Sequence, residues 1–267
     1  MPIRATALHL HHAPLSGCSA RIRIALHLKR LHDINLPITY HPVNLSASDH
    51  HTPAYRSLNP NASIPTLVVE LDASQQKQPT IITITQSLAI IDALDTLFPS
   101  SPPRLIPAPP FASSSADSSA AASLLRRRAA VLDLVALVAC DVQPPANKRW
   151  RDAITTDYGG DGEAWARRVY ERGLGAYEEL LATGEQGRFS VGDGVSAADV
   201  FLVPAVEGAM RVGLCEVGRR WPRVGRGRHN GAPRRIMRSI PFSDLSIRDL
   251  PESVTLSAVI KTNEFLP

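Results

Sequence analysis

Cysteine, methionine and tryptophan each occur only three times in 267 residues, and aromatic side chains make up 5% of the chain. The cysteines, Cys18, Cys140 and Cys215, are too widely separated for a disulfide framework or a zinc module, both of which need paired spacings. An odd count leaves at least one thiol free. No apolar run approaches the roughly 20 residues of a membrane-spanning helix, and residues 1–15 lack the apolar core of a secretory leader. A cytoplasmic setting and no membrane partner are therefore expected. Acid is missing from one stretch: residues 217–238 hold eight arginines and no Asp or Glu, and taking those eight from the net +4 leaves the rest of the chain at −4. The basicity is local, so the body of the protein has no polyanion-binding signature, and a nucleic-acid partner, which is not expected, is confined to that segment.

What is present is enough apolar residue, 44% against 20% charged, for one large core or two modest ones. The first hundred residues alternate between two periods. Residues 6–11 alternate as a strand, 19–31 carry Ile22, Ala25 and Leu26 near helical spacing, 37–43 form a second strand and 53–58 a short helix. Residues 65–69 and 81–84 are two β-branched strands joined by a polar connection at 72–79, and 86–97 carry a helical stripe of Leu88, Ile91, Leu94 and Leu97. This βαβαββα order predicts an α/β, thioredoxin-like domain over residues 1–98, an order that other small sandwiches share. Residues 99–123 turn to Pro, Ser and Ala and read as a linker or solvated loop. Helical segments at 124–139, 163–181 and 197–211 predict an all-α domain over 124–224.

The first chemical signal is Ser16-Gly17-Cys18-Ser19-Ala20-Arg21-Ile22-Arg23, a polar turn between the first strand and first helix. Unpaired N–H groups and the positive dipole end of a helix start stabilise an anion placed there. A thiol with an ordinary pKa near ~8.5 needs such a setting, and a hydroxyl donor, to be ionised at neutral pH. Ser16 can be that donor, or Ser16 and Ser19 can simply cap the helix. This run resembles the signature of the zeta-class glutathione transferases, the maleylacetoacetate isomerase family, with Gly17 in place of a second serine and Ala20 in place of a tryptophan. The resemblance implies a catalytic role for Ser16 with Cys18 assisting. Cys18 as a redox nucleophile, or as a simple buried thiol, is the alternative.

Further motifs carry the likeness along the chain. Leu58-Asn59-Pro60 through Ile64-Pro65 is similar to the family's Leu-Asn-Pro and Val-Pro segment. That likeness implies a cis bond before Pro65 and a main-chain contact from Ile64 to the cysteinyl part of glutathione, the alternative being a trans proline opening a strand. Gln86-Ser87 resembles the family's Gln-Ser motif, which implies a site for the γ-glutamyl carboxylate at a helix start, with capping as the compatible alternative. Gln143-Pro144-Pro145-Ala146-Asn147 is similar to a Gln-Pro-x-x-Asn stretch, implying glutathione contacts from Gln143 and Asn147, or otherwise only a helix kink. His50 matches a glutathione-contacting position or is an exposed loop histidine. Arg211 matches an arginine implied to bind an acidic substrate, or serves a surface salt bridge. Ser196-Ala197-Ala198-Asp199 is a capping box assigned to folding. His9, His11 and His12 sit on a strand expected to be core, and no metal is expected.

The resemblance covers residues 5–221 and then stops, leaving residues 225–267 as a divergent tail without a helical stripe, for which a frameshifted or alternatively spliced end is one hypothesis. It implies a glutathione-dependent cis–trans isomerase acting on maleylacetoacetate in tyrosine and phenylalanine catabolism, with glutathione as cofactor, a small acidic electrophile as substrate, transferase activity beside it, and a homodimer. A catalytically impaired glutathione-binding protein is the alternative that Gly17 and the tail raise.

Overall fold

The computed structural model describes residues 4–72, 80–110, 118–185 and 187–229. Its first half is a four-stranded sheet in the order β2-β1-β3-β4, built from β1 (Ala5–His12), β2 (Ile38–Pro42), β3 (Thr66–Leu71) and β4 (Thr80–Ile84). Central β1 runs parallel to β2, pairing Leu8 with Ile38, and antiparallel to β3, pairing Leu8 with Val69. Side chains alternate across the pleat, so Leu8, Leu10, Leu67 and Val69 all enter one buried layer. Against that layer lie α1 (Gly17–Leu28), contributing Ile22 and Leu26, and α3 (Ser87–Leu97), contributing Ile90, Ile91 and Leu94. The short α2 (Pro53–Leu58) starts with a capping hydroxyl from Thr52 and a proline in its first turn, as helix starts favour.

The second half is helical: α4 (Ser118–Ala136), a π-helical turn (Leu137–Val142), α5 (Gln143–Ala146), α6 (Lys148–Thr156), α7 (Gly162–Thr183), α8 (Ala197–Arg211), α9 (Val217–Arg220) and α10 (Pro222–His229). One continuous core joins the halves, with Val135, Leu174, Val200 and Phe201 buried alongside the sheet residues. The apolar α8 runs through the middle and packs on α1, α4 and α7. Its start is the expected capping box: Asp199 accepts from Ser196 N at 2.9 Å and also from Ser190 N at 2.8 Å. Burial raises the Asp199 pKa against these bonds.

Three expectations change. The helix α4 begins at Ser118, inside the stretch read as linker, because Ala120 to Ala122 and the leucines after them extend the helical pattern backward. Leu105 and Ile106 in the same stretch are buried, so it is not all solvated. The helical run Ser118–Thr156 also contains an 18-residue window of mean hydropathy 1.4, long and apolar enough by composition to cross a membrane. Its buried residues Val131, Leu134, Val135, Val138 and Val142 instead join the protein core. Parts of the polar connection at 72–79, of the linker and most of the tail lie outside the described residues.

Candidate active site

The Ser16 turn is built by the cap it makes. Ser16 has extended backbone, and its Oγ accepts from Ser19 N at 3.1 Å, so α1 starts at Gly17 with the hydroxyl fixed over the helix end. Capping and a donor role coexist, because an oxygen that accepts one bond still has its own hydrogen to donate. Across the domain junction, the Cys18 thiol donates to Gln143 Oε1 at 3.2 Å, joining two motifs 125 residues apart. The helix α8 covers the turn: a Cβ on Gly17 would lie 3.4 Å from Pro204 Cβ, an ordinary contact, so the missing side chain is not demanded by space.

The second wall comes from the loop before β3. The bond between Ile64 and Pro65 is cis, as the motif implied. Asn59, 1% exposed, donates from Nδ2 to Ser63 O at 2.7 Å and to Thr66 Oγ1 at 3.0 Å, while the Tyr55 hydroxyl donates to Ser63 O at 2.7 Å. Those bonds fix the loop that carries Ile64. Beside it, Gln86 precedes α3 with extended backbone and makes no side-chain cap, so its amide is not committed to the helix end. Ser87, the first residue of α3, is buried and its Oγ accepts from Arg21 Nη1 at 3.2 Å.

Cations surround this junction. The Arg21 guanidinium is 2% exposed, stacks 4.0 Å above the Phe201 ring and keeps a buried Nε without a hydrogen-bond partner. Burial lowers its pKa, opposed by the nearby Cys18 and Tyr170 groups when ionised. Arg211, at the end of α8, donates to Leu15 O at 3.1 Å and approaches Glu207 at 3.7 Å. It therefore makes the surface ion pair and also reaches over the residue before Ser16. Tyr170 on α7 is buried, which raises its pKa, with Arg151, Arg211 and Arg21 opposing. Its Oη packs where α8 has Gly208, at which an added Cβ would lie only 2.2 Å away. Arg21 stands in the signature run but was given no role there, and Arg151 and Tyr170 were not singled out, since an arginine or a tyrosine in a helical pattern carries no spacing signal.

The remaining expected residues sit less centrally. Asn147 is exposed and its Oδ1 caps α6 by accepting from Arg149 N at 2.8 Å. His50 lies in a 3-10 turn (Asp49–His51) with its ring 4.0 Å from that of His51 and a buried Nδ1 without a partner. Burial and then His51 lower its pKa, with Asp49 opposing. On the outer sheet face, His9 contacts Glu70 at 3.1 Å and His41 at 3.3 Å, while His12 lies within 3.2 Å of Arg23 Nη1 on the inner face. Among the described residues no three such side chains converge as metal ligands. In the arginine segment, Arg219, Arg220 and Arg223 pair with Glu216, Glu171 and Glu178, so its described basic groups are largely neutralised locally.

The family model for the N-terminal domain of glutathione S-transferases matches residues 15–97. A maleylacetoacetate isomerase from Emericella nidulans is 39% identical over 200 residues, covering 74% of this chain and 76% of that one. Among solved structures, the holo form of a maleyl pyruvate isomerase, a bacterial zeta-class glutathione S-transferase, superposes with a TM-score of 0.63 at 32% identity, over 85% of this chain and 95% of that one. A maleylacetoacetate isomerase from Anaeromyxobacter dehalogenans, with dicarboxyethyl glutathione and citrate in its active site, gives 0.65 at 27% identity, over 89% and 94%.

Proposed function

Because the chain belongs to the zeta-class, or maleylacetoacetate isomerase, family of glutathione transferases, we propose that it is a glutathione-dependent cis–trans isomerase converting maleylacetoacetate to fumarylacetoacetate. The observation that carries this reading is the contact of Cys18 with Gln143, which draws the Ser16 turn, on the sheet side, against the helical half, with Arg211 bonded to Leu15 O beside it. A junction with those neighbours suits an anionic peptide thiol beside a small dicarboxylic acid.

The donors present fit glutathione. Uncapped N–H groups at the start of α3, the free Gln86 amide and the Ser87 hydroxyl suit its γ-glutamyl carboxylate, and the Ile64 main chain suits its cysteinyl unit. Gln143, Asn147 and His50 line the same molecule more loosely, Asn147 through the amide nitrogen that capping leaves over. When bound, glutathione supplies a nucleophilic thiolate that adds reversibly to the cis double bond, so that rotation and elimination give the trans product with the thiol regenerated. The protein's part is to hold that sulfur ionised at the α1 start, where the Ser16 hydrogen donates to it and Cys18 assists from a position fixed by Gln143. Arg211, which reaches over Leu15 next to that turn, holds the substrate's carboxylate.

The same reading carries transferase activity toward other small acidic electrophiles, a cytoplasmic setting and a place in tyrosine and phenylalanine breakdown. A homodimer is supported by the exposed Ile81 and Ile82 on β4 and Leu124 and Leu125 on α4. The sheet domain at 1–98 would bind glutathione and the helices at 124–224 the acid. Ser16→Ala is the test: kcat/KM should fall by about 100-fold or more while glutathione affinity changes little. Wild-type turnover in that variant would remove Ser16 from the mechanism.

A further inference from the structure

Two arginines of α1 are buried, and their surroundings differ. Arg23 donates from Nη1 to Ala13 O at 3.3 Å and from Nη2 to Pro14 O at 2.9 Å, so it ties the end of β1 to the helix. Arg21 is as buried, at 2%, yet among the described residues its hydrogen bond goes to the Ser87 hydroxyl. Its plane lies over Phe201, its Nε has no partner, and among the described residues no carboxylate ion-pairs with it. A guanidinium taken out of water without an anion is costly, and a neutral hydroxyl and an aromatic face recover only part of that cost. Such a group is a liability unless a bound anion completes it.

The geometry also says where the anion goes. Ser87 Oγ accepts from Arg21, so its own hydrogen is left to donate elsewhere, and Ser87 is the first residue of α3, whose N-cap makes no side-chain bond. A donor whose oxygen is already bonded to a cation is a stronger donor. Resting on the glutathione reading above, we infer that Arg21 is a positioning residue for the γ-glutamyl carboxylate of glutathione: it aims the Ser87 hydroxyl at that carboxylate and supplies the buried counter-charge. The ligand-free protein therefore holds an uncompensated cation that glutathione binding relieves.

This assignment makes two effects of one substitution run in opposite directions. In Arg21→Met, which keeps length and stacking volume without charge, the ligand-free Tm should be unchanged or raised, because an unpaired buried charge has been removed. Glutathione binding should weaken by about 10- to 100-fold, and the rise in Tm on adding glutathione should shrink accordingly. KM for glutathione should rise with kcat nearly unchanged at saturation, and Arg21→Lys, which keeps the charge and one donor, should restore part of the affinity. Isothermal titration with glutathione and thermal melts of both variants measure all of this. A lowered ligand-free Tm, failure of Arg21→Met to fold, or wild-type glutathione affinity in it would each make Arg21 a purely structural residue and overturn the inference. Wild-type protein that does not bind glutathione would instead contradict the broader functional reading.

Discussion

Asn59 ties down the loop that carries Ile64 through its own side-chain bonds. It is buried and satisfied by the very loop it shapes, so Asn59→Ala would take one of two hydrogen-bond partners from Ser63 O and from Thr66 Oγ1, leaving the Tyr55 hydroxyl alone to hold both. Each lost bond costs about 0.5–1.5 kcal/mol net, so the variant should melt at lower temperature and show a raised KM for glutathione as the Ile64 segment loosens. An unchanged KM would place the glutathione contact elsewhere. At this scale, motif residues were legible because their types and spacing are unusual together: Ser16, Cys18, Gln86 and Ser87 in polar turns, and Ile64 before a proline. Arg21 was visible in the signature run but without a role, and Tyr170 was hidden within the helical pattern of α7. Their roles come from what α8 brings to them, through Phe201 and Gly208, which no local spacing encodes.

Among the elements, β1 and β2 carry a row of histidines, one of which, His11, has a titration that bears on stability. His11 stacks on His41 at 4.6 Å and meets Tyr55 edge-on, and its pKa is lowered by burial and then by His41 and His9. A histidine with a lowered folded pKa binds its proton more readily in the unfolded chain, so stability is full above about pH 6.5 and falls as pH drops below it. Chemical denaturation between pH 7.5 and about 5 should show that decline, and His11→Phe should flatten it; an identical slope in the variant would assign the decline to other groups. Strands and long helices were legible from their periods, with 53–58 and 197–211 matching α2 and α8 to the residue. The helix ending at Leu28 rather than residue 31 was not: Arg30 adopts a left-handed backbone that its side chain does not advertise. Nor was the π turn at Leu137–Val142, since one extra residue in a helix leaves the apolar pattern nearly unaltered.

For the molecule as a whole, the segment between the two halves is anchored to the sheet half by a buried ion pair of α1's C-cap and α3. Lys29 Nζ lies 2.9 Å from Asp95 Oδ1 and also donates to Ser101 O and Pro103 O, while Asp95 accepts from Leu105 N and Ile106 N. Leu105 O in turn accepts from Ala197 N at the start of α8. A Pro- and Ser-rich composition predicts a solvated connection, and what makes it an ordered strap is a long-range charge pair that composition does not contain. The strap seats α8 over the Ser16 turn, so the site at the junction depends on it. The central claim is that this junction runs a glutathione-dependent isomerisation, and the direct test is the conversion of maleylacetoacetate to fumarylacetoacetate by the full chain, measured with and without glutathione. Turnover that needs glutathione, yet exceeds many times the amount of glutathione present, is the predicted result. Folded protein that binds glutathione but gives no turnover, or that turns over equally without it, would contradict the account.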